Sequence, residues 1–81
     1  MTKEYRKQFC LEQLTMKINL MVNFAKKGRL ECSSLCYHEA DGMIDGLFFA
    51  DVITYEEYDN LSDALLIWWD NPGSWSGKLF K

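Results

Sequence analysis

Residues 3 to 27 contain neither proline nor glycine, and no other feature of this chain narrows its fold so far. Thr2 stands where a helix cap is needed, and Gly28 follows a lysine pair at the far end, so the run predicts a single helix over 3–27. At 1.5 Å per residue that helix is about 37 Å long. A chain of 81 residues predicts one domain, 1–81, with a radius of gyration of roughly 12 Å. The helix is longer than such a domain requires, so it either protrudes or helps to build a dimer.

Its side chains point the same way. Leu11, Leu14, Ile18, Met21 and Ala25 repeat at helical spacing as one seam. Phe9, Met16, Leu20 and Phe24 form a second apolar strip on roughly the opposite side. Gln8, Glu12, Thr15, Asn19 and Lys26 are left as the polar face.

Two further helices follow. Ser33 or Ser34 supplies a cap for a helix over 34–50, with Cys36, Ala40, Met43, Ile44 and Leu47 inward and Gly42 and Gly46 on the other side, near His38, Glu39 and Phe49. Thr54, with Glu57 three residues on and Ile53 and Tyr58 as a hydrophobic staple, marks the start of a helix over 55–70. Tyr58, Leu61, Ala64, Leu65, Trp68 and Trp69 face the core; Pro72 and Gly73 end the element. The tail NPGSWSGKLFK is irregular and contains Trp75 and Phe80, so it is either draped on the bundle or mobile. The expected fold is all-α, a three-helix bundle. The competing reading makes LFFADVITY a strand after a turn at Asp41-Gly42, from its aromatic and β-branched content. A strand with no evident partner is a poor structure.

A glycine inside a helix costs roughly 1 kcal/mol relative to alanine. Gly42 and Gly46 therefore need a reason, and a flat strip that admits a close-packing helix is one. The candidate occupants are helix one of the same chain, another protomer or another protein.

The net charge of −3 hides a division. Residues 1–29 carry Lys3, Arg6, Lys7, Lys17, Lys26, Lys27 and Arg29 against Glu4 and Glu12, whereas Leu30 to Gly77 contain ten acids and no lysine or arginine. Either the basic helix lies against the acidic remainder, or the acidic remainder faces a basic partner.

Little points to chemistry. Cys32, Cys36, His38 and Cys10 supply zinc-type ligands, but as CxxxC and CxH with no second knuckle, so a zinc protein is only an alternative and no metal or cofactor is expected. GSWSGK lacks the spacing, the following Ser or Thr and the helix of a phosphate-binding loop. His38, the single histidine, sits on a solvated helix face without the cleft that a general base needs, so no enzyme is expected. A sparse basic face argues against direct nucleic-acid binding. No run approaches the ~18 apolar residues of a membrane span, and MTKEYRKQF lacks a signal-peptide core, so no membrane association and a cytoplasmic location are expected. Three cysteines are too few for a secreted disulfide scaffold.

The stretch ADGMIDGLFFADVITYEEYDNLSDAL resembles the helix, short apolar link and capped helix of small accessory proteins of bacteriophages and other mobile elements. That resemblance implies an origin in a bacterial host cell and, for a small acidic protein, a role as a host-defence inhibitor such as an anti-CRISPR or anti-restriction protein. Some of these mimic nucleic acid with ordered carboxylates. It carries over no individual site residue. The expected function is non-enzymatic binding of a host protein's basic, nucleic-acid-binding surface by Asp41, Asp45, Glu56, Asp59, Asp63 and Asp70, with Phe49 as anchor beside Gly42 and Gly46. A homodimeric adaptor joined through helix one is the alternative.

Overall fold

The chain reverses direction twice, and the same backbone device serves both turns. The computed structural model describes residues 2–80 and contains α1 (Lys3–Lys26), α2 (Leu30–Phe49), α3 (Tyr55–Asp70) and a single 3-10 turn over Pro72–Ser74. At the end of α1 the Arg29 N–H donates to the Phe24 carbonyl (2.9 Å) and the Gly28 N–H to that of Ala25 (3.1 Å), with Gly28 at φ 76°. This is a Schellman cap, which needs a left-handed residue where glycine stands. At the end of α2 the Val52 N–H donates to Leu47 (2.9 Å) and the Asp51 N–H to Phe48 (3.0 Å), with Asp51 at φ 60°. Aspartate is among the few other residues that tolerate this conformation.

The start of α2 differs from the expectation. It begins at Leu30 with Arg29 as a cap that makes no side-chain hydrogen bond, four residues before the predicted start at 34. The Gly28 turn is so tight that the chain re-enters a helix at once, and the Ser33 N–H already donates to the Arg29 carbonyl (3.0 Å). Ser33 is not a cap but a wholly buried polar residue whose hydroxyl donates to the Met21 carbonyl of α1 at 2.8 Å. A small side chain there lets α1 and α2 approach, and its one hydroxyl is satisfied across the seam. The other boundaries agree with the sequence to within a residue. Thr2 accepts from the Tyr5 N–H, and Thr54 and Glu57 form the reciprocal capping box at the start of α3. LFFADVITY is helix to Phe49 and then turn; there is no strand among the described residues.

Leu14, Ile18, Met21 and Val22 of α1, Cys36, Ala40, Ile44 and Leu47 of α2, Ile53 of the second turn, and Leu61, Leu65 and Trp68 of α3 form the core. The hydrophobic seams meet as their helical spacing requires. α2 is the middle element and packs along both neighbours, while α1 and α3 touch each other at few points. The C-terminal segment fills that gap: the Trp75 indole N–H donates to Asn19 Oδ1 of α1 at 2.7 Å, and its ring meets Trp68 of α3 edge-on at 4.5 Å. The tail is docked. Pro72 starts its 3-10 turn, and Ser74 bonds back to the Asn71 carbonyl through both hydroxyl (2.7 Å) and N–H (2.9 Å). α1 runs the length of a body measuring 39 × 22 × 21 Å, with a radius of gyration of 12.4 Å.

Candidate protein-binding surface

The capping box that starts α3 also sets the nearest functional candidates. By fixing where α3 leaves the Asp51 turn, it places Tyr55 and Tyr58 across from Phe48 at the end of α2. Phe48 stacks on Tyr58 at 4.7 Å and meets Tyr55 at 5.9 Å and Phe49 at 5.8 Å. Phe48 and Tyr58 are half-buried, while Phe49 and Tyr55 are 82% and 68% exposed. Two free rings thus flank a packed pair.

Carboxylates border this aromatic corner. The Tyr58 hydroxyl donates to Asp45 Oδ1 at 2.9 Å, one turn before Phe49. That hydrogen bond, reinforced by the charge of Asp45 and more weakly by Asp41, holds the Tyr58 phenol above its ordinary range. Asp41 and Asp45 are half-buried; Glu56, Asp59, Asp63 and Asp70 are exposed. Glu56 and Asp59 belong to the first turns of α3 beside Tyr55. Asp70, at the other end of that helix, lies about 22 Å along the axis from Tyr55 and is not part of the corner.

The basic helix neutralises little of this charge. Of the ten acids between Leu30 and Gly77, only Glu39 and Glu57 form ion pairs among the described residues, with Lys17 (3.5 Å) and Lys7 (2.8 Å). Glu57 is fully committed. Its Oε1 accepts from the Thr54 N–H (2.9 Å) as well as from Lys7, so Lys7 first and the cap second pull its carboxyl below the usual range.

A β-carbon built at Gly42 or Gly46 would meet nothing within 4 Å. Helix one therefore does not pack into the glycine strip, because α1 covers the opposite side of α2, where Cys36, Ala40 and Ile44 are buried. The strip is open backbone on the outward face that ends at Phe49.

Reading the sequence missed Tyr55 as an exposed ring, and it missed Leu66 and Ile67, which are 51% and 57% exposed among the acids of α3. A helical projection of 55–70 carries the second signal, since both fall well away from Leu61, Leu65 and Trp68. Tyr55 carried none, because its exposure depends on how α3 meets α2.

Cys10 and Cys32 are half-buried and Cys36 is buried, all as free thiols, and burial pushes the Cys36 thiol up. Among the described residues no three His, Cys, Asp or Glu side chains converge on a point that could hold a metal. His38 is exposed, with its ring against Tyr37 at 5.4 Å. Among the described residues no helix is long and apolar enough to cross a membrane. No protein-family model, curated protein or solved structure matches this chain.

Proposed function

We propose that the protein acts without catalysis, by binding the basic surface of a partner protein through the aromatic corner and the acidic faces of α2 and α3. The observation that carries this reading is the pairing of two exposed rings, Phe49 and Tyr55, with carboxylates that form no ion pair among the described residues. Exposed aromatics are common interface anchors, and an arginine or lysine over a ring face gains further attraction when carboxylates stand beside it. The bare backbone at Gly42 and Gly46 lets a partner element approach α2 closely beside Phe49. The resemblance to mobile-element accessory proteins supplies the class of partner: a nucleic-acid-binding protein of a bacterial host, inhibited by occupation of its basic surface.

Capture from a bacterial lysate with three baits tests the reading: the wild-type chain, Phe49→Ala, and the double variant Asp59→Lys/Asp63→Lys. All three substituted positions are exposed, so the fold is retained. The expected partner is held by the wild type and weakened by both variants. The charge reversals slow association and Phe49→Ala speeds dissociation, and affinity falls as salt rises. Retention that is salt-independent and equal for all three baits would overturn the proposal.

A further inference from the structure

The second apolar strip of α1 is uncovered. Tyr5, Phe9, Met16 and Leu20 are 57%, 50%, 58% and 46% exposed, and on an ideal helix they fall within an arc of about 60°. Phe24, assigned to the same strip from the sequence, has turned inward and packs against the core; Tyr5 extends the strip instead by one turn at the other end. The described part of the tail leaves these side chains exposed, although Leu79 and Phe80 line a groove of ≈ 700 Å³ with Leu11 and Met16 beside it.

The order of these residues is self-complementary. A twofold axis beside the helix, level with the midpoint between Glu12 and Gln13, sets position 5 opposite position 20 of the other copy and position 9 opposite position 16. Laid antiparallel on a second copy, Phe9 meets Met16 and Tyr5 meets Leu20, each contact made twice, with Glu12 and Gln13 at the centre. This is what an isologous interface requires, where one patch serves both subunits and the assembly closes. We propose that this face of α1 pairs antiparallel with the α1 of a second copy in this register.

The footprint is about 22 Å long and one helix face wide, well below the roughly 800 Å² per partner of a standard interface. The dimer is accordingly weak and concentration-dependent. One local feature opposes it. The two Glu12 side chains meet on the same flank of the dyad, as like charges, so Glu12→Gln tightens the pair. The face is separate from the aromatic corner on α2 and α3, and each proposal stands or falls without the other.

Sedimentation equilibrium of the full chain over a concentration series tests the pairing and its register. Phe9→Glu and Met16→Lys each place a charge against an apolar side chain of the partner, so each variant alone is expected to be monomeric. Mixing the two restores a heterodimer, because the new carboxylate at 9 then faces the new ammonium at 16 while the other Phe9 and Met16 contact stays native. Tyr5→Glu mixed with Leu20→Lys repeats the test at the outer pair, and circular dichroism checks that each variant remains helical. Several-fold tighter association is expected for Glu12→Gln. A wild type that stays monomeric at every concentration, a dimer indifferent to the single substitutions, or monomeric variants that fail to pair on mixing would each overturn the proposal.

Discussion

Glu57 does two jobs that a sequence shows only in half. The spacing from Thr54 to Glu57 announces a capping box, and the box is present; the bond to Lys7, fifty positions away in the chain, has no local signal. It changes the expected order of effects. Thr54→Ala removes the cap at about 1 kcal/mol, whereas Glu57→Ala removes the reciprocal cap bond and an α1–α3 ion pair, the latter contributing up to about 1 kcal/mol for a partly exposed pair. The acid dependence has a definite sign. Because the folded carboxyl titrates below its unfolded value of about 4.3, its contribution is fully present above that value and is lost as pH falls through the lower folded value. Glu57→Gln keeps hydrogen-bonding capacity and loses the charge, so the gap in urea stability between wild type and variant narrows from pH 6 to pH 3. A gap independent of pH would mean that neither Lys7 nor the cap favours the Glu57 carboxylate in the folded chain. Ser33 teaches the opposite lesson. Serine before an apolar run reads as a cap, and only the inward turn of α2 makes it a buried donor to Met21.

The helices themselves were legible where periodicity was strong and caps were local, as in α1 and α3. The start of α2 was not, because only Lys27, Gly28 and Arg29 separate it from α1, and none of them is a cap residue that the sequence would announce. The end of α2 was legible to within a residue, expected at 50 and found at Phe49, but the left-handed turn that follows it was not. An aspartate rather than a glycine takes the left-handed position, and Asp51 gives no turn signature of its own. On the outward face of the same helix, Gly42 and Gly46 have open space where a side chain would stand, so Gly42→Ala and Gly46→Ala should each stabilise the protein by about 0.5–1 kcal/mol, read as a rise in the midpoint of thermal unfolding. If the glycines serve the partner's close approach, the same two variants bind the captured partner more weakly while melting later. Destabilisation by either would mean that something in the folded chain approaches α2 on that side after all.

Taken whole, the molecule is two helical hairpins sharing α2, and its third seam, where α1 and α3 touch at few points, is filled by a ring. Trp75 is half-buried between Asn19 and Trp68, so Trp75→Ala removes a hydrogen bond and an aromatic contact together, and a loss of roughly 2 kcal/mol is expected from urea unfolding, less than for a fully buried tryptophan. No change would mean that α1 and α3 hold together without the tail. The sequence left the tail's docking open because tryptophan in a turn-rich segment serves equally as an anchor or as an ornament, and the choice depends on a gap between α1 and α3 that only the assembled bundle creates. The edge-on indoles of Trp68 and Trp75 have an optical consequence. Two like chromophores held 4.5 Å apart at a fixed angle of 67° couple their transitions, so the closed bundle carries a circular-dichroism signature of its own, one that disappears when the tail lifts away even while every helix stays wound.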